Sequence, residues 1–114
     1  MASVADKIRR SREFEREING WKLRLRRPTD WEAQKLFNQD QADALEVATG
    51  FVIGWKGVKE SDIVNAGGSD EVAFDEDLWS EVIADRPELW RPISQAIVEA
   101  WVKHSEQREG RAKN

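Results

Sequence analysis

The chain has 114 residues, six tryptophans, no cysteine and a formal net charge of −4. This length favours one domain over residues 1–114 that buries its own core. The absence of cysteine excludes a disulfide framework, a thiolate metal site and a cysteine nucleophile. The sequence also lacks the apolar segment of a secretory leader or of a membrane span, so we expect no membrane contact.

Charge is distributed unevenly along the chain. Residues 1–28 carry nine basic and four acidic side chains, whereas residues 29–90 carry fifteen acidic and four basic ones. A basic head of this kind binds nucleic acid or an acidic protein, or is neutralised by the acidic part of its own chain. Neutralisation within one copy or between copies, or plain solvation of the basic side chains, fits the mild net charge best, and a homo-oligomer stays open.

The first third of the chain predicts a short helix and then a β-hairpin. Residues 3–12 hold few apolar positions, so we expect a marginal helix and fraying of residues 1–12. Asn19-Gly20 is the preferred two-residue type I′ turn, and it centres a hairpin over residues 13–27. One face of the hairpin is mostly apolar and must pack on helices, and the other pairs opposite charges. The predicted pairs are Ile18–Trp21, Glu17–Lys22, Arg16–Leu23, Glu15–Arg24, Phe14–Leu25 and Glu13–Arg26.

A helix is predicted to follow the hairpin, with its start marked by the capping-box spacing of Thr29 and Glu32. Its buried side is predicted to comprise Ala33, Leu36 and Phe37. Trp31 points away from that side. Trp31 therefore either folds back onto the hairpin, as large aromatic side chains usually find cover, or contacts a partner protein.

The middle of the chain predicts a central, buried helix over residues 42–56, after a break at 38–41. Gly50 and Gly54 have a spacing that lets another backbone approach, either inside the fold or at a dimer seam. Gly57 is expected to end this helix. One further helical turn over residues 61–64 precedes a glycine-rich loop.

The C-terminal third predicts two amphipathic helices joined by a sharp bend. Asp75 caps the first helix, and Phe74 and Trp79 occupy the positions of a hydrophobic staple. The segment 85–88 restarts the chain as the second helix, and Pro92 either begins that helix or kinks it. Its apolar stripe is predicted to hold Ile93, Ala96, Ile97, Ala100, Trp101 and His104. The polar tail, residues 105–114, is expected to fray.

No pattern in the sequence predicts catalysis or metal binding. The single histidine, His104, fits packing or capping at a helix end better than metal coordination, which needs several ligands. The acidic cluster over residues 70–77 lacks the spacing of a calcium loop, and Gly67-Gly68 lacks the lysine of a phosphate loop. We therefore expect no enzymatic activity, no cofactor and no metal. The predicted fold is mainly α: a small domain of four to five helices with the hairpin packed on it.

Four motifs follow one another in a distinctive order: LRLRRPTDWEAQ after the hairpin turn, GWKGV at 54–58, FDEDLW at 74–79 and RPELWRP at 86–92. In this order they resemble the small tail assembly chaperones of long-tailed bacteriophages and prophages, over residues 13–114. The resemblance implies a mainly helical, non-enzymatic protein of the host bacterial cytoplasm. Such proteins are thought to bind the tape measure protein and to help tail tube protein assemble around it, and they are generally absent from the mature virion.

A binding protein is therefore the leading functional hypothesis, with partner contacts predicted at Trp31, Phe37 and Trp101. A tape measure protein is a long helical chain whose apolar stripes would aggregate if left bare, and a tryptophan-rich helical protein can cover them. One alternative is a small nucleic-acid-binding regulator that uses the basic N-terminal region. Another is a structural head–tail or tail-completion protein of the virion.

Overall fold

The structure is a computed structural model that describes residues 3–37 and 43–112, and the break predicted at 38–41 lies outside them. Within these residues the chain forms six helices, with 58% helix, and one three-stranded antiparallel sheet of order β1-β2-β3. The elements are α1 (Val4–Ser11), β1 (Glu13–Ile18), β2 (Trp21–Arg26), α2 (Asp30–Phe37), α3 (Ala44–Gly50), β3 (Val52–Lys56), α4 (Glu60–Ile63), α5 (Glu76–Ala84) and α6 (Pro87–Ala112). The domain is mixed α/β, so the expectation of a helical domain with only a hairpin is correct in part.

The hairpin has the predicted register at all six pairs, from Glu13–Arg26 to Ile18–Trp21. Asn19 and Gly20 both take positive φ, 50° and 86°, as a type I′ turn requires. Ile18, Leu23 and Leu25 are buried, which confirms that the apolar face packs inward. The charged face differs in detail, because its ion pairs do not join directly opposite residues. Arg24 binds Glu13 diagonally at 2.7 Å, and Glu15 binds Lys56 of β3 at 3.1 Å.

The predicted helix over residues 42–56 is wrong in its second half. Helix α3 ends at Gly50, and residues 52–56 form β3, which pairs with β2. The β-branched and aromatic residues of this segment suit a strand, and glycine weakens a helix at both Gly50 and Gly54. Gly54 lies opposite Arg24, where an added Cβ would be 3.4 Å from the Arg24 Cβ. The two glycines therefore form no helix seam.

The core lies between one face of the sheet and helices α3, α5 and α6. Trp79 of α5 is fully buried, and its indole Nε1–H donates to the carbonyl of Ala48 in α3 at 3.0 Å. This bond fixes two helices across the centre of the domain and leaves no buried indole donor unpaired. The other core residues lie on all three strands and on α3, α5 and α6, and include Ile18, Leu23, Leu25, Val47, Val52, Ile83, Leu89, Ile93 and Ile97.

The start of α5 follows the predicted pattern. Asp75 Oδ2 accepts from the Leu78 N–H at 3.1 Å, and the rings of Phe74 and Trp79 lie 6.4 Å apart between centroids. The predicted cap and hydrophobic staple are both confirmed. The helical turn α4 is also confirmed. Its first two N–H groups donate to carbonyls of the following loop, Glu60 to Asp70 at 3.1 Å and Ser61 to Gly68 at 3.0 Å, and Asp62 Oδ2 accepts from the preceding Lys59 N–H at 2.8 Å.

Helix α6 contains Pro92 in its interior. Proline has no N–H, so the carbonyl of Glu88 four residues earlier loses its helical donor. That carbonyl accepts from the Asn19 side-chain amide at 3.4 Å. The hairpin turn is thereby docked where the helix ladder is interrupted, and α6 continues through Ala112. Fraying of the two chain ends stays a prediction.

Candidate functional site

The N-terminus of α2 is fixed to the sheet by a charged cluster. The Thr29 N–H donates to Glu32 Oε1 at 2.9 Å, and the Glu32 N–H donates to Thr29 Oγ1 at 3.1 Å, which confirms the predicted capping box. Arg26, the last residue of β2, donates to both Glu32 oxygens at 2.8 and 2.9 Å. The hydrogen bonds from Arg26, helped by Thr29 and opposed by partial burial, lower the pKa of Glu32 to about 2.

A second set of contacts fixes α2 to α6. Asp30 accepts from the Trp101 indole Nε1–H at 3.2 Å through Oδ1 and from the Arg108 guanidinium through Oδ2. Partial burial opposes ionisation, but these hydrogen bonds and the Arg108 charge hold the pKa of Asp30 below its ordinary value. Helix α2 is thus held at its first turn by a strand on one side and by the long C-terminal helix on the other.

Trp31 lies in this fixed first turn and is 67% exposed. Of its two predicted placements, folding back onto the hairpin is therefore wrong. The Lys35 ammonium sits 3.7 Å from the centroid of its ring, a cation–π contact that limits the orientation of the indole. Trp31 borders a groove of about 470 Å³, which we call the Trp31 groove, lined also by Arg9 of α1, by Arg12 just after α1 and by Ile53 of β3.

The other predicted contact residues have different surroundings. Trp101 is half-buried and donates to Asp30, so it positions α2 and displays little surface of its own. Phe37 ends α2, and its side chain lies outside the part of the chain that the structure describes. All six tryptophans are within the described residues, and the five besides Trp31 are buried or half-buried. Trp31 is thus the one large aromatic side chain displayed to solvent among them.

Helix α1 adds a second exposed apolar surface that the sequence did not predict to be functional. None of its residues is buried, and Val4 and Ile8 are at least half exposed at helical spacing. The helix is attached through its C-terminal end, where the Arg27 N–H donates to the Arg12 carbonyl at 2.9 Å. Helices α1 and α2 border the same groove, and both expose apolar side chains.

A larger cleft, of about 860 Å³, lies between the N-terminal elements α1 and β1 and the second half of α6. We call it the basic cleft, because its cationic side chains are Arg12, Arg16, Arg27, Lys103 and Arg108. Two carboxylates, Glu13 and Glu99, also line it. Burial and the charge of the neighbouring Arg12 lower the pKa of Arg27. Five positive charges and two negative ones make this the most cationic surface described above.

The chain residues that the structure describes contain no group of three or more acidic or histidine side chains able to hold a metal ion. Among the same residues, no helix combines the length and apolar character needed to cross a bilayer. His104 is half-buried on α6, and its charge helps to lower the pKa of Asp30. Comparison of the chain with family models, with curated proteins and with solved structures gives no match.

Proposed function

We propose that this protein is a non-enzymatic tail assembly chaperone of a long-tailed bacteriophage or prophage. It binds helical segments of the tape measure protein in the host bacterial cytoplasm and assists assembly of the tail tube protein around them. Two observations support this function: the motif resemblance, and above all the exposure of Trp31 on a helix that is fixed on two sides. It acts by covering apolar surface, with no bond made or broken.

The attachment of Trp31 supports a role as a binding anchor. Tryptophan is enriched among the side chains that dominate binding energy, because one indole buries a large area while restricting few torsions. An anchor that is already ordered loses less conformational entropy when it binds. Here the capping box, the Arg26 ion pair and the Asp30 contacts order the backbone around Trp31 before any partner arrives.

The surroundings of Trp31 favour a helical client. The Trp31 groove is open to solvent and bordered by two helices, and its volume of about 470 Å³ accommodates a few side chains but no whole helix. A client helix therefore lies along the groove and inserts the side chains of one apolar face, spaced three and four residues apart. Val4 and Ile8 on α1, the other helix at the groove, are exposed apolar side chains as well.

The proposal is tested with helical fragments of the very long protein encoded in the same gene cluster as a tail tube protein. We expect the wild-type protein to bind such a fragment and Trp31→Ala to weaken binding about 30-fold or more, as for truncation of a central anchor. Val64→Ala is the matched control, since Val64 is 54% exposed elsewhere on the surface, and it should change affinity less than about twofold.

Two results would contradict the proposal. The first is no binding of any tape measure fragment by folded wild-type protein. The second is an equal loss of affinity in Trp31→Ala and Val64→Ala, which would move the site elsewhere. Purified virions give a separate check: detection of the protein there at tail stoichiometry would indicate a structural tail component instead of a chaperone.

A further inference from the structure

The basic cleft holds positive charge that the fold itself leaves largely uncompensated. Among the residues that the structure describes, no carboxylate lies within ion-pair distance of Arg12, Arg16 or Lys103. Arg108 is paired with Asp30. The charge of the same carboxylate acts to raise the pKa of Arg27, so Asp30 is shared between two arginines. Of the two carboxylates in the cleft, Glu13 is already bound to Arg24 at 2.7 Å.

Folding brings these guanidinium groups together although they repel one another. The charges of Arg12 and Arg108 both act to lower the pKa of Arg27, so each of the three is within electrostatic reach of its neighbour. A cluster of like charges opposes folding unless a bound anion offsets the repulsion. Guanidinium groups are the side chains best suited to hold a carboxylate through paired N–H donors.

The basic cleft adjoins the Trp31 groove. Arg12 and Glu13 line both, so the two meet at the junction of α1 and β1. The cleft also has apolar lining from Phe14 and Ala100. A polypeptide that contacts Trp31 in the groove can therefore also reach the cationic side chains of the cleft.

We propose that the basic cleft binds an acidic stretch of the same client polypeptide whose apolar face contacts Trp31. The client is thus an amphipathic helix with glutamate or aspartate at one end of its bound segment. This deepens the proposed function and rests on it for the identity of the client. A polypeptide fits better than nucleic acid, because Glu13 and Glu99 lie among the arginines and the net charge of −4 repels a long polyanion.

The test uses two synthetic amphipathic helices as probes, one with glutamates beyond its apolar face and a twin with glutamines. For the wild-type protein at low salt, we expect the glutamate peptide to bind about tenfold tighter, the effect of a few charge-assisted pairs at partly exposed sites. The preference should shrink as ionic strength rises. Equal affinity for the two peptides would overturn the proposal without any protein variant.

Protein variants then locate the preference. The double variant Arg12→Gln with Lys103→Gln should bind both peptides equally, with its fold checked by circular dichroism. Arg91→Gln, an exposed arginine at the other end of α6, is the matched control and should keep the preference. The assignment to this cleft would be overturned if the double variant still preferred the glutamate peptide, or if Arg91→Gln lost the preference to the same extent as the double variant.

Other occupants give distinct results. Tighter binding of a single-stranded oligonucleotide than of the glutamate peptide, lost in the double variant, would make the cleft a nucleic-acid site and overturn the proposal. Self-association of the wild-type protein that the double variant abolishes would assign the cleft to a second copy and also overturn it. If the protein binds tape measure fragments but shows no preference for the glutamate peptide, the role of the basic cleft is wrong and the proposed function stands. If it prefers the glutamate peptide but binds no tape measure fragment, the proposed function is wrong and the role of the cleft stands.

Discussion

The ion pair between Arg26 and Glu32, which fixes the first turn of α2, can be broken by a substitution that keeps the shape of the side chain. Glu32→Gln keeps the shape of the side chain and removes its charge. The amide keeps one acceptor oxygen, so only one of the two hydrogen bonds from Arg26, at 2.8 and 2.9 Å, can remain, and the new NH2 group faces an Arg26 N–H donor; the capping bond from the Thr29 N–H is weakened as well. Because these bonds join β2 to α2, we expect the substitution to lower the free energy of unfolding and to leave the first turn of α2, which carries Trp31, less firmly fixed.

The magnitude follows from the pKa of Glu32, which falls from 4.5 to about 2. At about 1.4 kcal/mol per pKa unit this sets an upper limit of about 3–4 kcal/mol. The Glu32 side chain is 25% exposed, and solvent screening reduces the expected loss to about 2 kcal/mol. For a domain of this size that corresponds to a decrease in Tm of roughly 10 °C.

The sign of the pH dependence is fixed by the direction of the shift. A carboxyl group whose pKa is lowered by folding stabilises the fold above its unfolded pKa, and this contribution is lost as pH falls through the folded pKa. The wild-type protein should therefore lose the Glu32 contribution between about pH 4.5 and about pH 2. Glu32→Gln, which lacks the titrating group, should lose correspondingly less stability over that range.

Denaturant unfolding from pH 7 down to pH 2 measures both effects. Glu15→Gln is the control, because Glu15 is 58% exposed and binds Lys56 across the sheet at 3.1 Å. Glu15→Gln should lower the free energy of unfolding by less than about 0.5 kcal/mol. If the two variants lose the same stability at pH 7, or if Glu32→Gln titrates like the wild-type protein, the structural role assigned to Glu32 is wrong.

Two further predictions concern close packing. An added Cβ at Gly67 would lie 2.6 Å from the backbone of Glu60, whereas Gly68 has nothing within 4 Å. Gly67→Ala should therefore cost about 1–3 kcal/mol in unfolding free energy and Gly68→Ala less than about 0.5 kcal/mol, and equal costs would refute the loop packing. Trp79→Phe removes the indole donor to the buried Ala48 carbonyl and should cost about 2–4 kcal/mol by denaturant unfolding. A loss below about 1 kcal/mol would contradict the central place of that bond.

The elements with local signals could be predicted in detail from the sequence. The turn at Asn19-Gly20 and the alternation around it determine the hairpin register, because a slip of one residue would turn every side chain to the wrong face. The caps at Thr29 and Asp75 depend on residues three positions away, and both form as expected.

The features set by distant contacts could not be predicted. The segment GFVIGWK has apolar spacing that fits a helix as well as a strand, and the choice is made by pairing of Trp55 with Leu23, more than thirty residues earlier. Helical geometry pointed Trp31 away from the core, but whether another part of the chain covers it is decided by the tertiary fold, which leaves it 67% exposed. The basic cleft joins residues 11–27 to residues 99–108, a proximity that no local pattern encodes.

Amide hydrogen exchange of the protein with and without a bound tape measure fragment shows where the client binds. We expect the client to slow exchange in α1 and α2, around Trp31, and to leave α4 and the glycine-rich loop after it unchanged. Slowed exchange confined to α4 and that loop, with α1 and α2 unaffected in a saturated complex, would contradict this placement.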